Sequence, residues 1–396
     1  MGKIAVAVLV ALPALILRLS GTHLPAGPAI LVFGGAVVAC AFLLVWAAEA
    51  AHHDISGSLA TALLAVIAVL PEYAVDLFFA WSAGHVPQNA HYAAANMTGS
   101  NRLLLGLGWP FVVLLFVLGA RRRGERRSGI VLRPGRRVDL GFLAAASVYS
   151  LVVPFTRRIA WYDSVVLLAI FAAYLWRAAQ GEREEPELIG VSRQIGDLPR
   201  ARRRTAIAAL MLAATAFVVA ASAPFAQALV AGGRELGIDE FLLVQWLAPL
   251  SSESPEMLVA AVLALRGHQD TALGTLLAAK VNQWTLLVGS LPIAYAIGGG
   301  GSEGIVLDAR QTEEFILTAA QTVLGFAVLA DLRLQIWESL VLLLLFLLQF
   351  PFPQPEVRIG FAAAYGALAI ALLVRRRREL PGIAQAAFCP ETAPQP

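Results

Sequence analysis

Apolar runs close to the length of a bilayer crossing recur from one end of this chain to the other, and nothing else constrains its fold as strongly. A helix needs roughly 20 such residues to cross hydrocarbon. Runs of this kind cover residues 4–17, 29–49, 59–81, 92–118, 140–155, 161–176, 206–230, 241–265, 271–297, 315–329, 336–350 and 359–374. With 58% hydrophobic residues among 396 and a mean hydropathy of +0.71, a pair of soluble domains is excluded. Hydrocarbon offers no water to the backbone, so spans this long are helices that satisfy their own hydrogen bonds. The expected class is therefore an all-α polytopic membrane protein of twelve spans. The first run lies between Lys3 and Arg18 and lacks a small-residue cleavage site, so it reads as a membrane helix rather than a signal peptide.

The net charge of +3 matters less than where the arginines lie. They cluster at 121–137, at 200–204 and at 375–378. Alternating the spans puts all three clusters, and Lys3, on one side, which the positive-inside rule makes cytoplasmic. Both termini are then cytoplasmic. These basic loops set topology first and touch anionic membrane lipids second; no nucleic-acid partner is called for. Arginine-rich, lysine-poor usage fits the inner membrane of a bacterium. Cys40 and Cys389 form no disulfide framework or zinc spacing, and His52 and His53 read as a solvated loop. No cofactor is expected. The sequon at Asn96, Met97 and Thr98 falls inside a span and reads as accidental. The proline- and alanine-rich C-terminal tail is expected to be disordered.

Two spans share an unusual feature: Pro71 is followed by Glu72, and Pro255 by Glu256. Proline removes one helical N–H and displaces the carbonyl four residues back, here on Ile67 and Ser251. A glutamate at membrane depth is costly and marks function by default. A broken helix beside a buried carboxylate, present twice, predicts a cation site.

Other features fall into register with the two Pro-Glu pairs. Asn101 faces Asn282, Gly108 faces Gly289, Asp163 faces Glu338 and Ser164 faces Ser339. Each unit, 29–176 and 206–350, holds five spans. An odd number turns the second unit upside down, the inverted-repeat plan of secondary transporters. The expected organisation is an N-terminal transmembrane helix (1–25), a first repeat of five helices (26–180), a charged cytoplasmic linker (181–204), a second inverted repeat (205–352), and a C-terminal helix with its tail (353–396). Asp163 and Glu338 open their spans, where helix N-termini favour acids, and read as caps.

These residues resemble the calcium/cation antiporter superfamily, the sodium/calcium and proton/calcium exchangers. The likeness is carried by Pro71 and Glu72 followed by Gly99, Ser100 and Asn101, and by the run from Ser251 to Glu256 followed by Asn282. It implies a fold of ten core helices with one added at each end, and a secondary active antiporter exchanging calcium, or another cation, for sodium or protons. It also implies a ligand set: Glu72 and Glu256 as principal ligands, Asn101 and Asn282 beside them, and Ser252 as a further oxygen; Glu253 and Ser100, at adjoining positions, are added as candidate ligands. Calcium takes many oxygen ligands in irregular geometry, but sodium prefers oxygen too, so the set does not choose between them.

The chain also departs from that family. Ala68 and Val69 stand where hydroxyls are usual, Glu253 replaces another, and Asp76, Arg102 and Lys280 are added charges. The expectation is that Asp76 pairs with Arg102 and Glu253 with Lys280, leaving Glu72 and Glu256 for the ion. A sharper reading makes Lys280 an internal cation that yields when substrate binds. An enzyme is not expected, because no His-Glu-x-x-His occurs. Sodium/proton exchange, or an ion-sensing relative that no longer transports, remain the alternatives. Oligomeric state does not follow from these residues.

Overall fold

The computed structural model describes residues 2–51, 70–180, 188, 190–349, 352 and 354–389. His52, His53, the first half of the third span with Ile67, Ala68 and Val69, part of the charged linker, and the end of the tail lie outside the described residues. What remains is a helical bundle. In chain order its rods are α1 (Gly2–Ser20), α2 (Ala26–Ala51), α3 (Leu70–Ala83), α4 (Ala90–Leu103), α5 (Trp109–Arg122), α6 (Arg137–Ser150) and α7 (Trp161–Ala178). They continue with α8 (Arg200–Leu236), α9 (Glu240–Arg266), α10 (Gln269–Asn282), α11 (Val288–Ile297), α12 (Ala309–Leu329), α13 (Ile336–Leu347), α14 (Pro355–Arg375) and α15 (Leu380–Phe388).

Among the described residues, seven rods are long and apolar enough to cross a membrane by length and composition alone. The α9 helix and the α10–α11 rod are not among them, although each is long. They carry Gln245, Glu253, Lys280, Asn282 and Gln283, all buried against other helices. Polar residues are tolerated at membrane depth when protein rather than lipid surrounds them. Burial ranks the rods in the same way. Only 17% of the apolar window of α1 and of α14 is buried, against 78% for α12. The two added helices lie outside, and α12 is central.

The inverted repeat is visible in four short strands. β1 (Gly129–Val131) precedes α6, and β2 (Arg158–Ile159) precedes α7; β3 (Ile305–Val306) precedes α12, and β4 (Arg333–Gln335) precedes α13. β1 pairs with β4, and β2 with β3, both antiparallel. Each connection of one repeat thus pairs with the other repeat's opposite connection, as a two-fold axis in the membrane plane requires. The first pair lies on the arginine-rich face, beside 121–127. Arg376 after α14 reaches the same face, pairing with Asp331 at 3.0 Å and Glu338 at 2.7 Å. The second pair lies on the opposite face. The two caps also match: Asp163 accepts the Ala160 N–H at 2.7 Å, and Glu338 accepts that of Gln335 at 2.8 Å.

Two expectations are corrected. Helix α9 runs without interruption through Pro255. The Ser251 carbonyl, which loses its backbone partner to the proline, accepts instead from the Ser254 hydroxyl at 3.4 Å. The helices are interrupted elsewhere, by π-turns at Leu104–Gly108 and Gln283–Leu287, the first opening three residues after Asn101 and the second directly after Asn282. Such turns leave backbone groups out of the regular ladder and gather at functional sites. The chain beyond the last span is also ordered as far as α15, which docks on α6. Phe388 packs on Phe142 with ring centres 5.5 Å apart, and Arg177 donates to the Ala386 carbonyl at 3.0 Å.

Candidate cation site

Four helices meet at the centre of the bundle. Helix α3 brings Glu72, and α9 brings Ser252, Glu253 and Glu256. Spaced i, i+3, Glu253 and Glu256 share a helical face. The last turns of α4 and α10 supply Ser100, Asn101 and Arg102 from one repeat, and Lys280 and Asn282 from the other. Gly99 lets α4 and α9 come together, since an added Cβ would lie 1.8 Å from the Gln245 carbonyl oxygen.

The two half-sites are joined by a residue that sequence reasoning missed. Gln283 Nε2 donates to Glu72 Oε1 at 3.2 Å and to Glu253 Oε1 at 2.7 Å, linking a carboxylate from each repeat. Tyr73 donates to the Asn282 carbonyl at 3.3 Å, a second link across the same boundary. Glu256 is part of the same electrostatic neighbourhood as Glu72 and Glu253. Ser100 faces the latter two. Ser252 turns back on its own helix, donating to the carbonyls of Ala248 at 3.2 Å and Pro249 at 3.3 Å. The signal for Gln283 was available, because an amide inside an apolar run is itself costly.

Neither expected charge pair forms. Arg102 follows Asn101 and so points about 100° further round the helix. It leaves the site altogether, pairs with Glu314 of α12, donates to Gln349 and lies 4.9 Å over the Trp246 ring. Glu314 also pairs with Arg358 of α14 at 3.6 Å. Asp76, one turn past Glu72, has no ion-pair or hydrogen-bond partner among the described residues. Lys280 is wholly buried and reaches across the repeat boundary to Asn101, donating to its backbone carbonyl and, at 2.9 Å, to its side-chain oxygen. Glu253 lies near Lys280 but is held by Gln283 instead.

No three His, Cys, Asp or Glu side chains among the described residues converge closely enough to hold a metal ion by themselves. A cation here would draw on amide and hydroxyl oxygens as well as carboxylates, and those oxygens are at hand. Glu253 Oε2, Asn282 Oδ1, Gln283 Oε1 and Ser100 Oγ are all buried and without hydrogen-bond partners among the described residues. Buried polar atoms are normally satisfied. The free Glu253 oxygen, with the Ser100 and Gln283 oxygens beside the two joined carboxylates, is the kind of donor set that a hard cation takes.

Comparison with known proteins agrees with this architecture. Residues 27–179 and 206–351, one block per repeat, match the profile of the sodium/calcium exchanger protein family. The chain belongs to that family. Among solved structures, this exchanger is similar to the H+/Ca2+ exchanger CAX, with 38% identity, 97% of each chain covered and a TM-score of 0.91. YfkE, a Ca2+/H+ antiporter, shares the fold at 18% identity and TM-score 0.61, over 94% of this chain and 99% of that one. The sodium-calcium exchanger NCX_Mj shares it at 14% identity and TM-score 0.53, over 88% of this chain and all of that one. No curated protein sequence matches the chain.

Proposed function

We propose that this member of the exchanger family trades calcium for protons by alternating access at the Glu72, Glu253 and Glu256 cluster. The observation that carries the reading is a carboxylate from each repeat joined by Gln283, with buried oxygens of Glu253, Gln283 and Ser100 left unsatisfied there. Glu72, Glu256, Asn101, Asn282, Ser252, Glu253 and Ser100 are the proposed site, with Gln283 added. Carboxylates at membrane depth keep their charge only beside a cation. Calcium leaving the cluster therefore has to be replaced, and a proton binds a carboxylate without any cage of hydroxyls. Sodium would need further oxygens, which Ala68 and Val69 do not offer. Calcium and protons then compete for the same groups, and that competition is the coupling. The likeness to CAX favours the same counter-ion.

Lys280 serves as a tethered cation in this cycle. It covers both Asn101 oxygens and gives them up when calcium arrives. The two repeats rock about the site and open it to each face in turn. By the positive-inside rule the arginine-rich face, with both chain ends, lies in the cytoplasm of a bacterial cell, the protein sitting in its inner membrane. Lipids contact α1 and α14.

Calcium uptake by proteoliposomes tests the reading, driven in turn by a proton and a sodium gradient. Uptake under the proton gradient alone, lost in Glu72→Gln and Glu256→Gln, is the expected result. Uptake that needs sodium overturns the counter-ion. Sodium/proton exchange with no calcium movement makes the protein a different antiporter. Stabilisation by calcium without flux makes it a sensor.

A further inference from the structure

Helix α3 carries a second acid that the central site does not use. Asp76 lies four residues beyond Glu72, ~6 Å further along the helix axis, toward the face opposite the arginine clusters. It is fully buried, and both carboxylate oxygens lack a partner among the described residues. The Asn96 amide of α4 lies against it without closing a hydrogen bond, and both amide atoms are equally unpartnered and buried. Four unsatisfied polar atoms therefore occupy one level of the bundle, between the central cluster and the β2–β3 face. A carboxylate held for structure would come with satisfied partners or a pairing cation. The partner expected from the sequence, Arg102, is committed to Glu314.

The inverted repeat supplies a control within the molecule. Four residues beyond Glu256 stands Ala260, and five residues before Asn282 stands Leu277, the counterparts of Asp76 and Asn96. Both are buried and apolar. The fold therefore does not require a polar pair at this level. The pair exists on one side of the central site only, on the way to the β2–β3 face.

We infer that Asp76 and Asn96 form a second cation station, a low-affinity stop for the transported divalent cation between the β2–β3 face and the central cluster. One carboxylate and one amide oxygen are too few to hold a divalent cation tightly. A stop on a path has to be weak, because the ion must leave it as readily as it enters. The negative charge raises the local concentration of cations on that side alone. The station rests on the calcium reading above.

The test is calcium exchange in proteoliposomes whose orientation is sorted by access to a C-terminal tag, with calcium titrated separately on each face. Asp76→Asn is expected to raise half-saturating calcium at the β2–β3 face about tenfold, leaving the arginine-rich face within about twofold of wild type. The second face doubles as a control for folding, since a misfolded variant loses both. Equal weakening at both faces, or none at either, overturns the station; water satisfying Asp76 would give the latter. Asn96→Leu is expected to repeat the one-sided effect, and a two-sided loss there counts against the pair. Glu72→Gln, in contrast, abolishes exchange from both faces. A wild-type protein that moves no calcium removes the central reading and the station together, whereas a normal wild type with a symmetric Asp76→Asn removes the station alone.

Discussion

The two repeats share a backbone and differ in chemistry at the point where they meet. The first reads Gly99, Ser100, Asn101, Arg102, with its π-turn opening at Leu104; the second reads Lys280, Val281, Asn282, Gln283, with its π-turn opening at Gln283. Only the asparagine is common. Gly99 admits the neighbouring helix, while its counterpart Lys280 is a long cation that crosses to the other repeat. Arg102 points away, into an ion network with α12 and α14, whereas its counterpart Gln283 points inward and joins two carboxylates. Equivalent positions have thus divided the work: one repeat anchors the outer helices and the other tunes the site. Duplication supplied symmetric geometry, and unlike residues at matching positions make its two halves chemically different.

Exchanging the same position in each repeat would break this comparison most visibly. Arg102→Met should leave Glu314 buried with less compensation and cost about 3–5 kcal/mol, read as a lowered Tm of the purified protein. Adding Glu314→Gln should recover most of it. Gln283→Met should leave Tm nearly unchanged while weakening calcium binding about 10- to 100-fold, the usual range for a residue that orients a metal ligand. Equal losses of stability in both variants would contradict the division of roles.

A smaller effect is expected at Lys280. Removing its charge in Lys280→Gln should tighten equilibrium calcium binding about tenfold, a difference of about 1.4 kcal/mol, and slow exchange, since the tethered cation no longer replaces calcium. Unchanged binding and exchange would reduce Lys280 to a structural role. The smallest effect should come from Arg158→Ala. Its partner Glu303, 2.9 Å away, is largely exposed, and such pairs contribute about 0–1 kcal/mol. A larger loss of stability would mean that the β2–β3 face depends on this contact.

Much of the site was legible because charge in an apolar run is conspicuous. Glu72, Glu256, Asn101 and Asn282 stand out wherever they point, and the odd number of spans between the copies is enough to invert them. Gln283 and Glu314 were less visible. Gln283 is uncharged, and Glu314 stands just before the apolar run 315–329, where an acid reads as solvated. The partner of Arg102 was misjudged for a different reason. Its charge suggested Asp76 on the adjoining helix, but one step round the helix from Asn101 turns it toward α12.

The hydrophobic pattern of the chain determined the helices, their number, the repeat and the face that carries the arginines, because these depend on length, periodicity and charge along one dimension. Only the tertiary structure decided which polar atoms meet. It set Lys280 on Asn101, carried α9 unbroken past Pro255 with the Ser254 hydroxyl on the freed carbonyl, and left Asp76 beside Asn96 with neither satisfied. Those outcomes depend on the rotation of each helix about its axis and on which neighbour it packs against. Both are fixed by contacts between residues far apart in sequence.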